Sequence, residues 1–158
     1  MRQVRNNVFE TNSSSTHSIS ISRRGSLEKS NLMIEYDGYI HTHLGEYGWE
    51  VRNYYTQADR LLYLVTMAWE KSDYCNEDDL RSAIDRFMET PEFREISDKV
   101  GKYAGCSGVL LEYEDGYIDH QSHEDYGSLN DFLGQNEIDL VEFIFRSGVI
   151  VHTDNDNY

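Results

Sequence analysis

The sequence predicts an α+β protein: a small, mostly antiparallel sheet with three to five helices packed on it. Three observations carry this. Period-two alternation marks strands near the start of the chain, apolar residues recur at helical spacing through the middle, and apolar runs broken by turn residues return towards the end. The order is strands, helices, strands, helix, strand, which suits segregated α and β layers rather than a regular βαβ repeat. The 158 residues read as a single domain, with a basic N-terminal hairpin element at 1–30 and an acidic α+β body at 31–158.

Residues 4–10 and 18–22 read as strands. The second is the cleaner, because Ile19 and Ile21 alternate with Ser18, Ser20 and Ser22. Residues 11–17, rich in Ser, Thr and Asn, read as a polar loop between them. Residues 32–36 form a third strand candidate, closed by Asp37-Gly38. Thr56 followed by Asp59 resembles a capping box with Asp in place of Glu, and Ala58, Leu61, Leu62, Val65, Ala68 and Trp69 then give one apolar stripe. Asn76 is the expected cap of a second helix, with Leu80, Ala83, Ile84 and Phe87 facing inward. Thr90-Pro91 opens a third, since proline is favoured at the first helical position; it runs through Phe93, Ile96 and Val100 towards Gly105. Residues 109–113 and 117–120 flank Glu114-Asp115-Gly116, and Asp-Gly between such runs predicts a hairpin. Residues 129–132 and 138–145 read as short helices, and 149–151 as a final buried strand. Tyr54, Tyr55, Tyr63 and Tyr103 fall in helical patterns and are expected to pack with their hydroxyls at the surface.

Charge is unevenly spread. The whole chain carries −15. Residues 1–30 hold five basic and two acidic side chains, a surplus of three positive charges, while the remaining 128 residues hold nine basic and 27 acidic ones, net −18. An acidic globule repels phosphate, which argues against non-specific DNA binding by the body. The split suggests two different partners, although an acidic body also serves solubility alone. No run approaches the roughly 18 apolar residues of a membrane span, and residues 1–10 lack the apolar segment of a signal peptide. Cys75 and Cys106 form neither a disulfide framework nor a zinc motif, so a reducing, cytoplasmic setting is expected.

The most unusual stretch runs from Arg5 to Ser18: Arg-Asn-Asn-Val-Phe-Glu-Thr-Asn-Ser-Ser-Ser-Thr-His-Ser. If strands 4–10 and 18–22 pair, Glu10 and His17 stand at the neck of the loop on opposing strands. A carboxylate and a group that titrates near pH 6.5 are the equipment of general acid–base chemistry. Asn12, Ser13, Ser14 and Ser15 can cradle a phosphate with hydroxyls and loop amides. Arg2, Arg23 and Arg24 extend this phosphate- or RNA-binding set, because guanidinium recognises phosphate bidentately. Arg5 joins Glu10 only where a bulge breaks the strand alternation; in a regular strand it shares the other face with Asn7 and Phe9. The bland alternative is an ordinary polar turn, in which Ser, Thr and Asn bond to nearby backbone.

The same stretch resembles an N-terminal signature, R-x-x-V-F-E-T-N-S-S-S-x-H-S, of small proteins from phages and mobile elements of Gram-positive bacteria. Some of these resemble type II-A anti-CRISPR proteins, which inhibit Cas9. The resemblance covers about the first twenty residues. Arg5, Glu10, Asn12, Ser13, Ser14, Ser15 and His17 occupy its signature positions here. It implies a partner, Cas9 or the Cas9–guide RNA complex, and an effect on the guide RNA through cleavage or blocked loading. Under the cleavage version Glu10 and His17 would serve as acid and base, Arg5 would steady charge on the phosphate, and the chain would be a Cas9-dependent ribonuclease.

Other chemistry is weaker. Asp119, His120 and His123 lie in a run of two imidazoles and three carboxylates that can hold a divalent metal such as Mg or Mn, and His41 and His43 offer two more imidazoles. Neither group has an established metal spacing, and solvated hairpin ends explain both. No G-x-S-x-G elbow, P-loop or dinucleotide fingerprint is present. Two further readings therefore stand beside guide-RNA inhibition. One is a non-catalytic acidic blocker or nucleic-acid mimic of a defence nuclease. The other is a phage protein of unrelated function.

Overall fold

The computed structural model describes residues 15–22, 24–47, 51–118 and 129–155. It is α+β, and the described residues form five helices and three small groups of strands. The strands are β1 (Ser15–Ile21), β2 (Tyr39–Thr42), β3 (Glu46–Tyr47), β4 (Arg52–Tyr54), β5 (Gly108–Leu111), β6 (Tyr117–Ile118) and β7 (Val149–Asn155). The helices are α1 (Gln57–Glu70), α2 (Leu80–Phe87), α3 (Pro91–Ala104), α4 (Leu129–Gln135) and α5 (Leu140–Phe145). The largest sheet is antiparallel, in the order β1-β7-β4. β2 pairs with β5, and β3 with β6, each in parallel.

Helix α1 is the centre of the molecule. Its start is as expected: the Asp59 N–H donates to the Thr56 hydroxyl at 3.0 Å. A single apolar stripe is too modest a description, however. Ala58 is exposed, while Tyr63, Leu64, Thr66 and Met67 are buried alongside Leu61, Val65, Ala68 and Trp69. The helix meets α3, α4, α5, β2 and β6, so nearly every side is covered. Edge-on aromatic pairs knit this core. Tyr47 packs on Tyr54 and Tyr63 with centroids 5.1 and 5.0 Å apart, and Phe87 on Trp69 and Phe93 at 5.4 Å each. Tyr54 and Tyr63 are therefore interior residues, whereas Tyr55 is exposed and Tyr103 donates its hydroxyl to the Glu28 carbonyl.

Helix α2 begins later than expected. Asp79, not Asn76, is its N-cap, and residues 71–77 form turns. The inner face is as expected: Ala83, Ile84 and Phe87 are buried. Helix α3 matches at both ends. The Phe93 N–H donates to the Thr90 hydroxyl, Pro91 occupies the first turn, and Gly105 terminates the helix at φ 79°, the left-handed conformation that glycine adopts without penalty.

Two strand expectations fail. Residues 32–36 form no strand. The N–H groups of Asn31 and Leu32 are taken by the side chains of Gln57 and Ser30, so this part of the segment follows side-chain contacts rather than a ladder. Met33, Ile34 and Tyr36 face solvent. The Asp37-Gly38 turn is real, and strand β2 starts just after it. The Asp115-Gly116 hairpin is also absent: β5 and β6 do not pair with each other but continue in the same direction beside β2 and β3. Gly116 serves close approach instead. A Cβ there would stand 2.5 Å from the Gly45 carbonyl oxygen and the Leu44 side chain.

Among the described residues no helix is long and apolar enough to cross a membrane.

Candidate functional site

Strand β1 sets the frame of the N-terminal string. Ser15 lies opposite Asn155, Thr16 opposite Asp154 and His17 opposite Thr153 of β7. Of the loop expected at 11–17, residues 15–17 belong to the strand, because β7 supplies them with a hydrogen-bonding ladder; residues 11–14 lie outside the described residues. Sequence alternation was legible only from Ser18, where the isoleucines begin. Arg2, Arg5, Glu10, Asn12, Ser13, Ser14 and Arg23 lie outside the described residues, and with them the proposed Glu10–His17 neck. Asp119, His120 and His123 also lie outside. Arg24 is exposed, and its N–H donates to the Ser22 hydroxyl at 3.2 Å.

The sheet brings other polar residues beside β1. Arg52 of β4 lies opposite Thr153 from the far side, so His17, Thr153 and Arg52 form one row across three strands. The adjacent row is Ser18, His152 and Asn53, with His152 Nδ1 2.7 Å from the Asn53 side-chain oxygen. Reading the last strand only to residue 151 hid His152 and Thr153. Their signal was the continuation of the alternation through Val-His-Thr.

A second polar cluster sits on the β2–β5 pair. His41 Nδ1 lies 2.8 Å from Glu112 Oε2, and Nε2 lies 2.7 Å from Asp37 Oδ2. One rung along, His43 Nδ1 faces the Leu44 carbonyl at 2.9 Å and Glu114 at 3.9 Å. The hydrogen bond to Glu112, followed by that to Asp37, holds the His41 imidazole above its ordinary value. The Tyr39 N–H, then His41, hold the Asp37 carboxyl below its own. His41 and His43 thus meet carboxylates rather than open ligand positions. Among the described residues no three His, Cys, Asp or Glu side chains are placed to hold a metal ion.

Two further features lie apart from these clusters, one buried and one open to solvent. Arg60 is 2 % exposed, and its Nη1 donates to the carbonyls of Arg146 and Val149 at 2.8 and 2.9 Å. It pins the turn that leads into β7, and burial lowers its pKa. A cavity of about 540 Å³ opens between α3 and α5, lined by Lys99, Lys102, Tyr103, Asp139, Leu140 and Val141. Both cysteines are free. Burial, with Glu70 next, pushes the Cys75 thiol up, the opposite of what an activated nucleophile needs.

In comparisons with known proteins, no family model, no curated protein and no solved structure matches the chain.

Proposed function

We propose that this protein is an inhibitor of type II-A Cas9 that acts on the guide RNA, by cleavage or by blocked loading, through its N-terminal string. The carrying observation is the string itself, Arg5 to Ser18, which joins an arginine, a carboxylate, an imidazole and consecutive hydroxyls in fourteen residues. The charge split supports the reading. A body of net −18 over residues 31–158 complements the basic channel in which such a nuclease holds nucleic acid. The basic segment ahead of it would then approach an RNA phosphate. In the cleavage version Glu10 and His17 exchange protons with the reacting groups, and Arg5 stabilises charge that builds on the phosphate. Incubating Cas9 with end-labelled guide RNA and this protein, with and without chelator, tests the reading. A shortened guide or a loss of loaded complex is expected. An intact guide that loads normally overturns it.

A second reading is steric: the acidic body blocks the nuclease as a nucleic-acid mimic. The size of the negative surplus outside residues 1–30 favours it. It predicts inhibition that weakens steeply with salt and survives Glu10→Ala and His17→Ala.

A further inference from the structure

We propose that Asp37, His41 and Glu112 form a pH-operated latch, which fastens the turn at 35–38 and the exit of β5 onto β2 while the imidazole carries its second proton and frees Glu112 when that proton leaves.

The geometry makes this a matter of donor counting. A neutral imidazole has one N–H donor and one bare nitrogen; the imidazolium has two donors. His41 meets a carboxylate oxygen at each nitrogen, at 2.8 and 2.7 Å. Both contacts are attractive only in the charged form. After the proton passes to water, one nitrogen presents a lone pair to a carboxylate.

Glu112 is the partner that leaves. Asp37 is held twice, its Oδ1 accepting the Tyr39 N–H at 3.0 Å and its Oδ2 facing His41. The Glu112 side chain is the more exposed, at 53 % against 35 %, and it has no second hydrogen-bond partner among the described residues. The groups facing His41 are Asp37 from the turn and Glu112 from the β5 exit. Along the same edge His43 and Glu114 form the neighbouring, looser contact at 3.9 Å. Three separate segments meet at one ring, so its protonation state bears on how firmly 112–116 sits against 42–45.

The direction follows from the raised value of His41. The latch is fully closed below the ordinary histidine value of about 6.5 and opens as pH rises through the higher folded value. On the acid side it fails only when the carboxylates take up protons.

The test is an NMR titration of His41 in the full chain, in the wild type and in Glu112→Gln and Asp37→Asn. His41 is expected to titrate above the ordinary histidine value of about 6.5, and each variant to bring it down. Amide exchange at Glu112, corrected for its intrinsic pH dependence, should accelerate several-fold across the His41 midpoint in the wild type only. A His41 midpoint at or below the ordinary histidine value of about 6.5 overturns the latch, as does a midpoint unchanged in whichever variant folds. Exchange that shows no step at the midpoint also overturns it.

Discussion

Thr66, buried in the third turn of α1, accepts a hydrogen bond from the backbone N–H of Gly45 at 2.8 Å and donates its own O–H to the Leu62 carbonyl at 2.7 Å. One hydroxyl thus ties the central helix to the backbone just ahead of β3. Thr66→Val keeps the shape and strands the Gly45 N–H in an apolar interior. An unfolding free energy lower by about 1–3 kcal/mol is expected, read from urea denaturation. Thr66→Ser keeps the donor and acceptor and should recover most of the loss.

Arg60 presents a sharper case, because its charge is buried and its guanidinium satisfies two carbonyls at once. Arg60→Ala removes both bonds and leaves a void beside β7. A loss of about 3–5 kcal/mol is expected, visible as a lower thermal midpoint. Arg60→Met, which refills the volume without restoring the bonds, should fall between alanine and wild type.

Gly116 has no room for a side chain, with the Gly45 oxygen 2.5 Å from where a Cβ would stand. Gly116→Ala must push β6 away from β3. A cost of about 1–3 kcal/mol is expected, together with faster amide exchange at Tyr117, whose N–H donates to Gly45 at 2.9 Å.

Cys75 should alkylate slowly. Its raised thiol value leaves less thiolate near neutral pH than an ordinary cysteine has. Iodoacetamide labelling at pH 8 is expected to run several-fold slower than in a cysteine peptide, and the rate should still be climbing at pH 9. Labelling as fast as the peptide would contradict the burial that raises it.

Glu10→Ala and His17→Ala separate the two functional readings. If the N-terminal string acts on guide RNA, each variant should lose most of the inhibition of Cas9 while keeping wild-type stability, measured by a DNA-cleavage assay beside a thermal melt.

Local chemistry made the helices legible. Thr56, Thr90-Pro91 and Gly105 mark their ends by hydrogen bonds and backbone preferences that operate within four residues, and these ends agree with the structure. Pairing partners were not legible. Tyr39 meets Gly108 and Ser15 meets Asn155, and nothing in either segment names the other. Asp115-Gly116 misled for a physical reason: glycine permits a tight hairpin and a close backbone contact equally well. The His41 cluster escaped for the same distance reason, since Glu112 lies 71 residues away in sequence. The N-terminal string was visible at once as composition.

The pairing of β1 with β7 has a consequence for biosynthesis. Residues 15–21 leave the ribosome well before the strand that completes their ladder, 149–155. Until translation has passed that point, Ile19 and Ile21 have no β7 to lie against. The antiparallel sheet is therefore assembled only after the residues between its strands have been made, and the helices encoded there have time to collapse first.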